Sequence, residues 1–195
     1  MTTFVLATTN PHKVEEMKAF FAGLDVQLRD RPTSLADVAE TSNTLEGNAL
    51  LKAKAISEAT GDAAVADDTG LFVDALGGRP GVLSARYAGA GATDADNVAK
   101  LLGELSQLSD ERRGARFRTV IAISYPSGDF FTVEGVMDGV IASSPRGGGG
   151  FGYDPVFLPW DTPGRTLAEL TLTEKNAVSH RGRALRALAI KLGGE

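Results

Sequence analysis

Apolar residues recur along the chain at two spacings, one typical of helices and the other typical of strands. Helical spacing predicts amphipathic helices over 11–22 and over 45–60, with Gly61 closing the second. Thr93 and Asp96 fit the two ends of a capping box, so the apolar positions that follow them predict a third helix. These helices alternate with short apolar runs.

The apolar runs predict the strands. In chain order they cover 3–8, 26–28, 63–66, 116–125 and 129–142. The last two runs are long, and Pro126-Ser127-Gly128 between them is typical of a hairpin. Strand and helix alternate first and a hairpin follows, so we predict an α/β protein with a mixed sheet flanked by helices.

Three stretches give weaker signals. The glycine-rich segment 77–91 is predicted to be a long shaped loop, and 143–163 is predicted to be irregular. The tail 166–192 is predicted to be helical, as one helix or two, because Thr173 and Ser179 are both acceptable N-caps. The chain shows no repeat and no linker, so we expect residues 1–195 to form one domain, with two lobes.

Composition narrows the classes of function. The chain has 195 residues, no cysteine, only two histidines and a net charge of −5. Disulfides, thiolate metal sites and a three-histidine zinc site are therefore excluded, and nonspecific binding to nucleic acid polymers is disfavoured. The first residues lack a basic region, and no apolar stretch approaches the about 20 residues of a membrane helix. We expect a cytoplasmic protein that does not bind membranes.

Asp67 and Asp68 are the most informative residues of the chain. They follow the apolar run 63–66, and Thr69-Gly70 after them is predicted to turn the chain sharply. Two adjacent carboxylates at the end of a buried strand favour a hard cation such as Mg²⁺. We expect one aspartate to hold an Asx-turn and the other to bind the metal, together with Glu40 from a loop.

Two further places offer charged or polar groups to a ligand. Free N–H groups at the start of the first helix favour an anion, and Lys13 adds a cation. For these residues alone, an ordinary helix capped by Asn10 with Lys13 in solvent is the simpler interpretation. On the second helix, Asn48 and Lys52 are four positions apart and so share a face. A solvated polar face is the simpler interpretation there as well.

The segment 146–155 contains the pattern G-x-G-x-x-G. A dinucleotide-binding interpretation fails because this segment leads into an extended run rather than a helix. Either it is a bare glycine loop, or Phe151 or Tyr153 offers an aromatic surface to a planar ligand. The cluster in the tail around Ser179-His180-Arg181-Gly182 is either a basic helix end or a site, and Gly182 favours close approach of another group.

These segments, in this order, resemble the ITP/XTP pyrophosphatases, which remove non-standard purine nucleoside triphosphates from the nucleotide pool. The matching pieces are Leu6-Ala7-Thr8-Thr9-Asn10 with Lys13, Glu46-Gly47-Asn48-Ala49 with Lys52, Ala66-Asp67-Asp68-Thr69-Gly70-Leu71, Pro80-Gly81-Val82 with Ser84-Ala85-Arg86-Tyr87, Gly149-Gly150-Phe151-Gly152-Tyr153-Asp154-Pro155, Ala168-Glu169-Leu170, and Lys175-Asn176 with Ser179-His180-Arg181-Gly182. The resemblance covers nearly the whole chain. Thr69 stands where the family more often has Ser, and Gly47 stands where it often has Glu, so Glu46 is given no role.

The resemblance implies an elongated mixed sheet, helices on two lobes, a nucleotide cleft between the lobes and a homodimer. It implies Mg²⁺-dependent hydrolysis of ITP, dITP and XTP to the monophosphate and pyrophosphate. Asp68 matches the catalytic acidic position, and Glu40 and Asp68 are expected to bind the metal. The expected substrate-binding residues are Thr8, Thr9, Asn10, Pro11, His12, Lys13, Lys52, Thr69, Phe151, Gly152, Tyr153, Asp154, Lys175, His180 and Arg181.

The mechanism expected from these residues is attack of an oriented water on the α-phosphorus. Asp68, or hydroxide on the metal, accepts the proton, and Asp67 remains an alternative base. Two competing hypotheses stay open from the sequence. One is a pyrophosphatase for modified pyrimidine or 7-methylated nucleotides, and the other is a nucleotide-sensing module without turnover.

Overall fold

The computed structural model of the chain describes residues 2–23, 26–109 and 112–193. The helices in these ranges are α1 (Pro11–Phe21), α2 (Leu45–Thr60), α3 (Asp94–Glu104), α4 (Leu172–Val178) and α5 (His180–Lys191). The strands are β1 (Thr2–Leu6), β2 (Val26–Arg29), β3 (Ala64–Val73), β4 (Pro80–Gly81), β5 (Gly114–Ser124), β6 (Phe130–Ile141) and β7 (Phe157–Pro159). Short 3₁₀ helices lie in several of the loops.

The strands of the described residues form one mixed sheet in the order β2-β1-β3-β5-β6-β7, with β4 paired to β3 outside this path. β1 pairs in parallel with β2 and with β3, whereas β3–β4 and β6–β7 are antiparallel. The prediction of an α/β fold with a mixed sheet is confirmed.

The first two helices begin and end where their sequence signals lie. The side chain of Asn10 accepts hydrogen bonds from the backbone N–H groups of His12 and Lys13 at the start of α1. Thr44 caps α2 through the N–H of Gly47, and Gly61 ends that helix at a φ of 69°, a left-handed conformation that glycine adopts without strain.

The third helix and the hairpin also follow local signals. The capping box of Thr93 and Asp96 is present, with both reciprocal hydrogen bonds formed. In the hairpin between β5 and β6, the N–H of Tyr125 donates to the carbonyl of Asp129 at 2.9 Å, and Gly128 takes a φ of 92°. Both predictions are confirmed.

The tail contains two helices, of which the first starts earlier in the chain than Thr173. Thr171 caps α4, forming a capping box with Glu174, so Thr173 lies inside the helix. Ser179 is extended, with a ψ of 156°, and separates α4 from α5. The stretch before Thr171 forms a short 3₁₀ helix, Leu167–Glu169, rather than part of a long helix.

The predicted turn at Thr69-Gly70 is wrong, because β3 continues through both residues to Val73. A Cβ atom on Gly70 would lie 2.6 Å from the carbonyl oxygen of Gly81, which is on the paired strand β4. Gly70 therefore allows the close approach of a second strand and does not turn the chain. The segment 77–91 is likewise not all loop, since β4 lies within it.

The chain divides into two compact units. Unit 1 contains Met1–Asp68, Thr119–Gly135 and Arg181–Glu195, and its core includes Phe4, Leu6, Met17, Phe21, Val65, Ile121 and Leu188. Unit 2 contains Thr69–Arg118 and Val136–His180, and its core includes Leu71, Leu101, Met137, Tyr153, Phe157 and Leu167. No helix in the described ranges is long and apolar enough to cross a membrane. The one-domain organisation with a nucleotide cleft stays a prediction.

Candidate active site

In unit 1, the ammonium group of Lys52 contacts two carboxylates. Its Nζ lies 2.8 Å from Oε1 of Glu40 and 3.4 Å from Oδ1 of Asp68. Lys52 is on α2, Asp68 is on β3, and Glu40 is in the loop before α2. Three residues that the sequence singles out separately thus converge on one point, where two carboxylates are held close to a cation.

The second oxygen of the Asp68 carboxylate is held by Asn48. The Nδ2 group of Asn48 donates to Oδ2 of Asp68 at 3.2 Å, and the amide is fully buried. Asn48 and Lys52 lie one turn apart on α2, so the face that the sequence predicts for them is the face that meets Asp68.

Burial and the neighbouring charges of Glu40 and Lys52 set the protonation of Asp68. Burial raises the pKa of the Asp68 carboxyl above its usual range, and the nearby charge of Glu40 raises it further against the opposing effect of Lys52. Burial opposes the charge of Lys52, but Asp68, Asp67 and Glu40 outweigh it and raise the pKa of the Lys52 ammonium. The surrounding carboxylates therefore favour the protonated form of Lys52.

Asp67 faces a different set of partners. Its Oδ2 accepts hydrogen bonds from Nε and Nη2 of Arg181, at 3.1 and 3.0 Å, and lies 3.1 Å from Nζ of Lys13. A further nitrogen of Arg181 donates to Glu16 on α1. Asp67, Arg181 and Glu16 are all buried.

This network contradicts the Asx-turn expected of one aspartate. The Asp67 carboxylate lies within β3 and binds side chains from both ends of the chain, so it holds no turn. Burial alone would raise the pKa of Asp67, but the charges of Lys13 and Arg181 outweigh it and hold that pKa well below its usual range. Asp67 is therefore ionised at neutral pH and holds the Arg181 guanidinium, while burial lowers the pKa of its other partner, Lys13.

The turn from β1 to α1 has the capped helix start of the simpler interpretation, because the side chain of Asn10 accepts from the N–H groups of His12 and Lys13. Oγ1 of Thr8 accepts from the N–H of Asn10 at 3.2 Å, and Asn10 caps the helix. Pro11 and His12 are exposed, as is Thr9, while Lys13 is half-buried and turns toward Asp67. Lys13 is thus not the solvated lysine of the simpler interpretation.

In unit 2, a second buried ion pair lies beneath the glycine loop. Nζ of Lys175 is 2.8 Å from Oδ2 of Asp154, and the same oxygen accepts from the N–H of Phe151 at 2.9 Å. A Cβ atom on Gly150 would lie 2.1 Å from this oxygen, and Gly150 takes a φ of 73°. Glycine at this position is what lets the loop close over the carboxylate.

The two aromatic candidates of this loop have different surroundings. Tyr153 belongs to the core of unit 2, and its hydroxyl donates to the carbonyl of Ser84 at 2.8 Å. Burial, together with the Tyr87 and Asp94 charges, raises its pKa. Phe151 is only half-buried, and Nζ of Lys175 lies 4.6 Å from its ring centroid. Of the two rings, Phe151 is the one that a planar ligand can reach.

The remaining predicted residues of unit 2 occupy separate places. His180 is buried, and its ring stacks on Phe117 with centroids 4.6 Å apart and planes 23° apart. Gly152 donates its N–H to Asp94 at 2.7 Å, which ties the glycine loop to the start of α3. Thr69 is half-buried on β3, directly after the point where the chain leaves unit 1.

The sequence model of the Ham1 family matches residues 4–191. The chain belongs to the Ham1 family. It is 50% identical to the dITP/XTP pyrophosphatase of Geobacter sulfurreducens over 196 residues, covering 99% of this chain and 98% of the relative. It is 52% identical to the dITP/XTP pyrophosphatase of Geobacillus kaustophilus, covering 96% and 93%.

Solved structures of Ham1 proteins are similar to this chain over nearly their full length. A HAM1 protein from Coxiella burnetii superimposes with a TM-score of 0.89 at 42% identity, covering 99% of both chains. A nucleoside-triphosphatase described as a dITP/XTP pyrophosphatase, from Mycobacterium abscessus, gives a TM-score of 0.76 at 47% identity, covering 96% of this chain and 97% of that one. The Ham1 membership thus rests on sequence and fold alike.

Glu40 and Asp68 carry the hard carboxylate oxygens that a magnesium ion prefers, and they would be the residues that hold one. Both carboxylates contact the Lys52 ammonium, so the two anions converge on one positive charge. Mg²⁺ commonly takes one or two carboxylates and completes its shell with water and phosphate oxygens. No group of three or more metal-binding side chains is found among the described residues, so the substrate and water would supply the other ligands.

Sequence reasoning missed one buried residue, Glu16, and one buried contact, that of Asn48 with Asp68. Glu16 stands on α1 next to Met17 and carries no local sign of burial, because its partner Arg181 is far away in the chain. Asn48 was placed on the correct face of α2, but its contact with Asp68 needs the position of β3. Only the three-dimensional fold reveals such contacts.

Proposed function

We propose that this protein hydrolyses ITP, dITP and XTP to the nucleoside monophosphate and pyrophosphate, with Mg²⁺. The observation that carries the proposal is the convergence of Glu40 and Asp68 on the Lys52 ammonium. This arrangement is suited to a magnesium triphosphate, and the relatives named dITP/XTP pyrophosphatases give the substrate class. A homodimer and a cytoplasmic location stay predictions from the family resemblance.

The proposed chemistry uses the residues of unit 1. Glu40 and Asp68 would hold Mg²⁺, which offsets phosphate charge when bound. Asp68 accepts the proton of a water whose oxygen forms a bond to the α-phosphorus. The bond from that phosphorus to the bridging oxygen breaks, and pyrophosphate leaves with its electron pair. Lys13 and Lys52 stabilise the charge that develops on the leaving group.

The residues of unit 2 are assigned to the purine base. Phe151 offers an aromatic face, and the ion pair of Asp154 and Lys175 offers polar groups beside it. A role for His180 at the nucleotide comes from the family resemblance alone, because its ring stacks on Phe117. A site that donates a hydrogen bond to a 6-oxo group penalises the 6-amino group of adenine, because two donors then face each other. We therefore expect the site to favour ITP and XTP over ATP as substrates.

The experiment is pyrophosphate release from ITP, dITP, XTP and ATP, with and without Mg²⁺. We expect the first three to exceed ATP in kcat/KM, and Asp68→Asn to lower kcat about 10²–10⁴-fold. Hydrolysis in ¹⁸O-labelled water should place the label in the monophosphate. Equal rates for ITP, XTP and ATP, or label in the pyrophosphate, would contradict the proposal. Faster turnover of UTP or methylated GTP would favour the pyrimidine or 7-methyl alternative instead.

A further inference from the structure

Asn48 joins the carboxylate of Asp68 to the loop that carries Glu40 through one side chain. Its Nδ2 donates to Asp68 at 3.2 Å, and its Oδ1 accepts from the backbone N–H of Ser42 at 2.9 Å. Ser42 lies two positions after Glu40 on the same loop. The amide is fully buried, so it has no solvent to turn toward. The Nδ2 end of Asn48 therefore holds the Asp68 carboxylate, and the Oδ1 end holds the loop that carries Glu40.

The loop around Ser42 is packed closely against the start of α2. A Cβ atom on Gly47 would lie 2.0 Å from Oγ of Ser42, and the same hydroxyl accepts from the N–H of Thr44 at 3.2 Å. Gly47 precedes Asn48 directly. The loop around Ser42 therefore lies closest to α2 at the same point where Asn48 accepts the hydrogen bond from Ser42. Packing and hydrogen bonding thus hold the loop in one position.

We propose that Asn48 is a positioning residue that sets the distance between the Glu40 loop and the Asp68 carboxylate, and so the cation site they form. The inference deepens the proposed function and rests on it. Groups that orient metal-binding side chains typically change metal affinity or activity about 10–100-fold when removed. Asn48 acts through Asp68 and the loop, and nothing requires it to touch the substrate.

The chain contains a matched control in unit 2. Asn97 is the fourth residue of α3, as Asn48 is of α2, and both helices are capped by a threonine. The Oδ1 of Asn97 accepts from the N–H of Ala88 at 2.8 Å, and its Nδ2 donates to the carbonyl of Ala85 at 3.2 Å. Asn97 is also buried. The two asparagines differ mainly in that Asn48 donates to a carboxylate and Asn97 to a backbone carbonyl.

The test compares Asn48→Ala with Asn97→Ala, and Asn48→Asp with Asn97→Asp. Asn48→Asp retains an acceptor for Ser42 but places a carboxylate where Asp68 receives a donor, so it carries the test even if the alanine variant does not fold. We expect kcat for ITP to fall about 10–100-fold in both Asn48 variants with KM within about 2-fold, while the Asn97 variants lower only the melting temperature. Equal kcat in the Asn48 and Asn97 variants, corrected for folded enzyme, would overturn the inference.

A second measurement separates this inference from the proposed function. Binding of Mn²⁺, followed by electron paramagnetic resonance of the free ion, needs no turnover. We expect Asn48→Ala to weaken Mn²⁺ binding about 10–100-fold and Asn97→Ala to leave it unchanged. Weakened binding in a protein that releases no pyrophosphate would refute the function and support the positioning role. Unchanged Mn²⁺ binding by Asn48→Ala, with a wild-type enzyme that releases pyrophosphate from ITP, would support the proposed function and refute the positioning role.

Discussion

The guanidinium of Arg181 donates two hydrogen bonds to the carboxylate of Asp67, at 3.1 and 3.0 Å, with both side chains buried. Arg181 begins the last segment of unit 1, and Asp67 lies near the end of the first. The pair therefore ties together parts of unit 1 that are far apart in the chain. Its value to the fold can be tested directly.

We predict that Arg181→Met destabilises the protein strongly. Removing one partner of a buried ion pair leaves an uncompensated charge and typically costs about 3–5 kcal/mol. Here the variant would leave Glu16 without this donor and Asp67 with a weaker set of cations. Urea unfolding measures the change. Arg29→Met is the control, because Arg29 and Asp62 form an exposed pair and its loss should shift the unfolding midpoint little.

Asp67 gives a prediction for the acid range. The folded-state pKa of Asp67 lies below its unfolded value, since Lys13 and Arg181 outweigh the effect of burial. Its contribution to stability is thus complete above about pH 4 and is lost as the pH falls further toward the folded-state pKa. We expect Asp67→Asn to be less stable than wild type at pH 7, with the difference shrinking between about pH 4 and pH 2. A difference that stayed constant over this range would contradict the prediction.

Local signals explain why most of the fold could be predicted from the sequence. Helix ends are set by residues within a few positions of them, namely the Asn10 cap, the capping box of Thr93 and Asp96, and Gly61. The course of β3 could not be predicted, because Thr69-Gly70 would suit a turn if the carbonyl of Gly81 did not pack against it. Whether the chain turns at Thr69-Gly70 is thus decided by the pairing of β3 with β4, which follows it in the chain.

In the candidate site, too, some residues could be predicted from local sequence signals and others only from the fold. Asp68 could be singled out because it follows a buried strand, and Glu40 because it lies in a loop that could reach a metal. The helix pattern around Lys52 favours a solvated face, so its role is implied by the family resemblance alone, whereas the structure places Lys52 against both carboxylates. Sequence reasoning could not assign the contacts of Arg181, which it expected at the nucleotide. The structure places this guanidinium against Asp67 and Glu16, which supports a role in holding Asp67.

The pair formed by Glu40 and Asp68 predicts how Asp68 titrates in the metal-free protein. Burial raises the pKa of the Asp68 carboxyl, and the charge of Glu40 raises it further. Glu40→Gln removes this like charge, so we expect the Asp68 carboxyl of the metal-free variant to titrate at lower pH than in the wild type. Side-chain carboxyl NMR of both proteins without metal measures the shift. An unmoved titration of Asp68 in Glu40→Gln would show that Glu40 does not act on Asp68.

Glu40→Gln should also change the magnesium requirement. The variant lacks one proposed ligand, so we expect half-maximal activity at about 10- to 100-fold higher Mg²⁺ concentration. Titration of pyrophosphate release with Mg²⁺ at fixed ITP measures this shift. Asp62→Asn is the control, because Asp62 is paired with Arg29 at the surface and should leave the curve in place. Coincident curves for Glu40→Gln and wild type would argue against Glu40 as a ligand.

Substitutions of the two aromatic residues of the glycine loop should have different effects, one on substrate binding and the other on folding stability. Phe151 is half-buried and beside Lys175, whereas Tyr153 is in the core with its hydroxyl bonded to Ser84. Stacking of a base on an aromatic ring is worth about 1–3 kcal/mol, so Phe151→Leu should raise KM for ITP with little change in the melting temperature. Tyr153→Phe removes one buried hydrogen bond and should cost about 1 kcal/mol of folding stability with KM unchanged. Steady-state kinetics and thermal unfolding of both variants check this, and the opposite pattern would place the base against Tyr153.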